Sequence, residues 1–183
     1  MGAWQRPRRK PHARPYDLLI LDAPASGQLV GLLDAPRIFS GVARIGPVAR
    51  QAEAIRAMLL DPGTAGVIAV ATPEQMAVTE ILELRAVLAN RFGLGIDAVV
   101  VNRLFPSRFG SVDRHALAGA PDDPAVRDAR WFDGRARAQR SSLARLRRGV
   151  RGVPITTLPF VFSAELGRSD MEHLAGRLAA GPA

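Results

Sequence analysis

A chain of 183 residues, 48% hydrophobic and 23% charged, is long enough for one globular domain with a sizeable core. No apolar run approaches the roughly 18–20 residues that cross a bilayer, which excludes a helical membrane span, and the lack of cysteine excludes disulfides, thiolate metal ligands and a thiol nucleophile. The net charge of +8 is carried almost wholly by arginine, with Lys10 the only lysine, and such a surface attracts polyanions without being built for them.

Residues 1–15 are rich in Arg and Pro and show neither helical nor strand periodicity, which predicts a basic, disordered leader ahead of a folded part at 16–183. The basic start is not followed by an apolar stretch, so it does not read as a secretion signal, and a cytoplasmic location is expected. Leu18–Leu21 is an unbroken apolar run, which predicts a strand buried on both faces of a parallel sheet. It ends on Asp22 and a small-residue turn through Pro24 and Gly27. An acid there sits where open α/β sheets bind ligands, and a small loop lets backbone N–H groups approach a phosphate. The plain alternative is an ordinary strand closed by an Asp-initiated turn.

Gln28–Leu33 is short and amphipathic and is predicted to be interrupted at Ala35–Pro36. Val48, Ala52, Ile55 and Leu59 recur at helical spacing and predict a helix that ends at Asp61–Pro62–Gly63. A second apolar strand is expected at Gly66–Ala71. Thr72, Pro73 and Gln75 then predict a capped helix start, with Met76, Ile81, Leu84, Val87 and Leu88 on one face and a stop near Gly93. Ile96–Val101 predicts a third strand, followed by Asn102. Residues 103–121 read as an irregular connection. Asp123–Pro124 opens a long arginine-rich helix. Val153–Leu158 is a fourth strand ending in Pro159 and Phe160, and Ser169 is predicted to cap a last helix.

Alternating strands and helices imply an α/β fold: a mainly parallel sheet with helices on its faces. Asp22, Asn102 and Pro159 each follow a strand, so all three belong to one edge of that sheet, the edge where a ligand crevice forms. An acid suits hydrated Mg²⁺, and an amide can both donate to and accept from a base. The arginine stripe is read as a solvated face. Nucleic-acid binding through it is a lower-ranked alternative, because aromatic stacking platforms are sparse.

Asp22-Ala23-Pro24-Ala-Ser-Gly27 resembles the switch signature of the ArsA family, the anion-pump and tail-anchored-protein-targeting ATPases. Val70–Glu74, Val99–Leu104, Leu158–Phe160 and Glu165–Gly167 are similar to later segments of that family, in the same order. The resemblance implies a P-loop NTPase-like fold, ATP and Mg²⁺ as cofactors, and a homodimer joined by nucleotide. It assigns Asp22 to Mg²⁺ and its water, Ala23, Pro24 and Gly27 to the switch loop, and Asn102, Pro159 and Phe160 to adenine.

Two departures qualify that reading. No Gly-x-x-x-x-Gly-Lys-Ser/Thr occurs, since Lys10 is followed by Pro11. The expectation is therefore a truncated or degenerate chain that does not hydrolyse ATP alone, with a non-catalytic pseudo-ATPase or dimerisation module as the alternative. The phosphate-loop strand is expected to be missing from inside the sheet, leaving apolar strand edge exposed unless a second copy or a partner supplies the absent N-terminal half. The other departure is the short span between Pro24 and Val67, room for one substantial helix rather than a large client-binding insert. A peripheral membrane partner is left open.

Overall fold

The computed structural model describes residues 16–23, 26–42 and 46–182, divided into two compact units, one ending at Ala65 and one beginning at Gly66. The proposed leader and Pro24 fall outside the described residues.

The first unit is a pair of helices. Helix α1 spans Ser26–Val42 and helix α2 spans Pro47–Leu60. Helix α2 follows the periodicity closely: Pro47 sits in its first turn, and Asp61 closes it, with the Gly63 and Thr64 N–H groups turned back onto the Asp61 carboxylate and carbonyl. Helix α1 corrects the expected break, because it runs straight through Pro36. A proline inside a helix loses one backbone hydrogen bond at a cost of about 3 kcal/mol. Here Pro36 and Leu33 are both buried within this two-helix unit, as is Ala52 of the facing α2, and that burial offsets the loss.

The expected strand at Leu18–Leu21 is also corrected. These residues form no strand, and Leu18, Leu19, Ile20 and Leu21 are 75%, 62%, 82% and 62% exposed. The reason lies in the unit itself: its other described elements are helices, and an extended run becomes a strand only where a neighbour takes its backbone groups.

The second unit is an α/β body. Strands β1 (Ile68–Ala71), β2 (Ala98–Leu104) and β3 (Ile155–Pro159) form a sheet in the order β1-β2-β3, parallel throughout. Its register places Ala69 beside Val99 and Ala71 beside Val101. On that face Val99 and Val101 are completely buried. On the other face Ile68 and Val70 of β1 are 64% and 65% exposed while Val100 of β2 is covered. The central strand is thus sealed on both sides, and the edge strand on only one. Strand β1 is also an end strand of the sheet, as β3 is, with one backbone edge unpaired among the described residues.

Helix α3 (Gln75–Val87) makes the first crossover and packs on β1 and on the long helix α5 (Pro124–Gly149). The predicted capping box at Thr72 does not form. Glu74 is the N-cap, and its side chain caps no backbone N–H because its carboxylate accepts from Arg135 at 2.8 Å. Val78, rather than the 76%-exposed Met76, supplies the buried contact beside Ile81. The helix passes into one π-helical turn, Leu88–Phe92, and ends at Gly93, whose φ of 69° is the left-handed conformation a helix C-terminus favours.

The connection 103–121, expected to be irregular, contains helix α4 (Ser111–Gly119). Its entry is fixed by the Gly110 N–H donating to Asp113 Oδ2 at 2.7 Å. Asp123 caps α5 by accepting the Ala125 N–H at 2.8 Å, as its Asp-Pro start predicts. The last helix, α6 (Arg168–Ala179), packs on β3. Its cap is Gly167, whose N–H goes to Asp170, and not Ser169, which lies inside the helix.

Candidate functional site

The second unit gathers its most unusual chemistry where β2 and β3 end. Val101 pairs with Thr157 and Leu104 pairs with Pro159, so β2 spends three residues on a stretch that β3 covers with two. The extra residue makes a bulge, a device that re-aims side chains near functional sites. Arg103 absorbs it with a φ of 63°, the only positive value among the described non-glycine residues.

Asn102 therefore lies within β2, at its bulge, rather than after the strand. Its Oδ1 accepts the Arg103 N–H at 2.8 Å. That bond settles which way the amide points, since the nitrogen end of an amide cannot accept. Among the described residues, both Nδ2 protons and one Oδ1 lone pair are left to meet a ligand. One residue beyond the Leu104–Pro159 pair, the Phe160 N–H donates to the Leu104 carbonyl at 2.9 Å, fastening the end of β3 to β2. Asn102, Pro159 and Phe160 are thereby brought to one corner of the sheet, at its carboxyl edge, where open α/β sheets bind ligands.

The sequence reading missed what surrounds them. Phe105 is the buried hub of an aromatic cluster, stacked on Phe132 at 5.2 Å and edge-on to Phe160 at 4.8 Å, with Phe162 at 5.7 Å and Trp131 at 6.2 Å. Three arginines lie over these rings: Arg103 over Phe160 at 5.3 Å, Arg108 over Phe132 and Phe162 at 4.9 and 5.1 Å, and Arg135 over Phe105 at 5.8 Å. Each such contact contributes about 0.5–1 kcal/mol at exposed positions. Buried Gln139 of α5 locks the hub from below by accepting the Phe105 N–H at 2.8 Å. A signal was present, because aromatic residues are scarce in the chain and concentrated at 105–109, 131–132 and 160–162.

Asp22, Ala23 and Gly27 belong to the first unit. Asp22 and Ala23 are exposed and outside any helix or strand, with no strand before them, and Pro24 lies outside the described residues. Gly27 is the second residue of α1 rather than part of a loop, and open space surrounds the position a side chain would take there. Within the same unit α1 and α2 enclose an open apolar depression of about 320 Å³, lined by residues that include Leu32, Pro36, Ile55 and Leu59. Among the described residues no methionine lines it.

The corner at Asn102 combines an amide, which can both donate and accept, with Pro159 and with the Phe160 ring under the Arg103 guanidinium. A triphosphate finds no comparable set of groups, because the chain carries no glycine-lysine phosphate loop. Mg²⁺ is ordinarily held by one or two carboxylates together with phosphate oxygens, so Asp22 alone would not retain it. Among the described residues no three His, Cys, Asp or Glu side chains gather as a metal site, and no helix is long and apolar enough to cross a membrane.

Residues 40–179 match a family model described as anion-transporting ATPase. The span includes Asn102, Pro159 and Phe160 and leaves out Asp22 to Gly27. Among curated proteins, the chain is 34% identical over 113 residues to ATPase BagA of Mycobacterium tuberculosis, a match that covers 61% of this chain and 33% of the relative. A protein of Mycobacterium bovis that is also named an ATPase matches with the same identity and coverage. The chain thus spans about a third of the length of the curated relatives it matches.

Proposed function

The chain belongs to the anion-transporting ATPase family, and from that premise we propose that it is the base-holding part of an ATP-driven switch. The observation that carries the reading is the corner at the bulge, where Asn102 presents free amide donors beside Pro159 and Phe160. In an intact site Asn102 would read adenine, Phe160 would stack on it and Pro159 would wall it. Asp22 would orient Mg²⁺ and its water, and Ala23, Pro24 and Gly27 would form the moving loop. Bound Mg²⁺ would neutralise the phosphate oxygens. ATP would join two subunits, and hydrolysis would drive a change of shape in a cytoplasmic protein.

The phosphate-gripping side would come from elsewhere, from an N-terminal half or a partner. Two features support this: the lack of a Gly-Lys-Ser/Thr loop, and the end strand β1, whose outer backbone edge is unpaired among the described residues and whose Ile68 and Val70 side chains are exposed. The 183 residues alone should therefore show no ATP turnover. Turnover that disappears in Asp22→Asn would overturn this division of labour. They should also self-associate or melt broadly, and a sharp, concentration-independent two-state melt of a monomer would count against a missing neighbour.

A second reading, a non-catalytic module that keeps adenine and dispenses with phosphate chemistry, draws on the same missing loop. Calorimetry separates the two when an N-terminal half is supplied. Equal weak affinity for ATP, ADP and adenosine favours the module, and a strong triphosphate preference that requires Mg²⁺ favours the switch.

A further inference from the structure

The arginines of α5 fall into two groups. Those of the first half, and the one at its middle, are neutralised or capped locally. Arg127 meets Asp122 at 3.0 Å, Arg130 donates to the Leu117 and Ala120 carbonyls that end α4, and Arg135 meets Glu74 at 2.8 Å. Beyond Asp133 the chain contains no acid until Glu165, while it places seven arginines there. Arg145 reaches the Thr79 hydroxyl at 2.9 Å. Arg137, Arg140, Arg147, Arg148 and Arg151 have no carboxylate within ion-pair distance among the described residues, and all but the half-buried Arg140 are exposed.

Helical geometry lines up four of the five. At about 100° per residue, Arg137, Arg140, Arg147 and Arg148 fall within roughly 100° of one another, on a row about 16 Å long, and Arg151 extends it past the helix end. Like charges so spaced repel, each pair costing a few tenths of a kcal/mol. The favourable helix dipole reaches only the last turn, so it offsets Arg147 and Arg148 but not Arg137 or Arg140.

We propose that this row is a docking surface for the phosphate backbone of double-stranded nucleic acid. Guanidinium forks match phosphate oxygens, and a duplex offers one anion per about 1.7 Å of axis, a density that suits a row of this length. Two features set the other polyanions aside. A helix that beds into a bilayer interleaves its cations with large apolar side chains. The one exposed large apolar residue of α5, Trp131, lies near the start of the helix and outside the row. Single-strand binding needs stacking platforms beside the cations, and the row has only Ser141 and Ala144 between its arginines. The contacts are to phosphate and carry no sequence preference. The inference is independent of nucleotide binding at Asn102.

The test is fluorescence anisotropy of the full chain with a labelled 20-base-pair duplex between 50 and 200 mM salt. Five neutralised phosphates predict a slope of log K against log salt near −4.5, about a 500-fold loss of affinity across that range. A variant with Arg137, Arg140, Arg147, Arg148 and Arg151 all changed to Gln should lose that dependence, and Arg148→Gln alone should reduce the slope by about 0.9. The control removes the same five charges elsewhere, at Arg6, Arg8, Arg9, Lys10 and Arg14. Equal loss in the two variants would mean that net charge alone binds, and it would overturn the proposal. So would tighter binding to a single strand of the same sequence, or to phosphatidylserine vesicles. Circular dichroism of the five-fold variant shows whether α5 is kept; if it is lost, the single-site slope still decides.

Discussion

Leu18–Leu21 and Val99–Val101 are two apolar runs of the same character. One is 62–82% exposed and pairs with nothing among the described residues, and the other is almost completely buried between two parallel partners. Composition does not separate them. The difference is whether neighbouring backbone is present to receive their N–H and C=O groups, and that depends on the rest of the fold. A strand is a relation between segments, and an apolar run is only an offer of one.

Substitutions can break or sharpen this contrast. The largest effect is expected from Val101→Asp, which would bury an unpaired charge in the central strand. A loss beyond about 4 kcal/mol should leave the second unit unfolded by circular dichroism. A smaller loss, about 1–3 kcal/mol by urea midpoint, is expected from Gln139→Leu, which strands the Phe105 N–H inside the cluster. At the other extreme Ile20→Asp should change stability by no more than about 0.5 kcal/mol. A large loss there would show that Leu18–Leu21 does find a strand partner in solution. The contrast sharpens if Ile20→Asp becomes costly only once an N-terminal half is added.

Much of the second unit was legible because its signals are local. The apolar strands expected at 66–71 and 96–101 and the Asp-Pro start of α5 are each declared by residues within a few positions. Strand direction alone puts Asn102 and Pro159 at the carboxyl edge of the sheet, whereas Asp22, expected there with them, belongs to the first unit. The failures share a cause, which is that the deciding partner is distant in sequence. Glu74 abandoned a local capping role because Arg135, 61 residues away, competes for its carboxylate. Pro36 was tolerated inside a helix because α2 covers it. The aromatic hub at Phe105 depends on Gln139, 34 positions on. Arg103 left no local mark, since nothing in Val-Asn-Arg-Leu announces a residue at positive φ.

That last residue has a consequence of parity. Along a regular strand alternate side chains share a face, so residues 101 and 104 would fall on opposite sides. The bulge makes Leu104 pair with Pro159, two positions after the Thr157 that pairs with Val101, so Leu104 returns to the face of Val101. One residue thus inverts the inside-outside sequence of everything after it. Straightening Arg103 into regular strand while keeping it would turn Leu104 over and deliver Phe105 to the wrong side of the sheet, whereas its deletion would leave Leu104 opposite Pro159. The same deletion a few positions later, in the connection 106–110, would only shorten a loop.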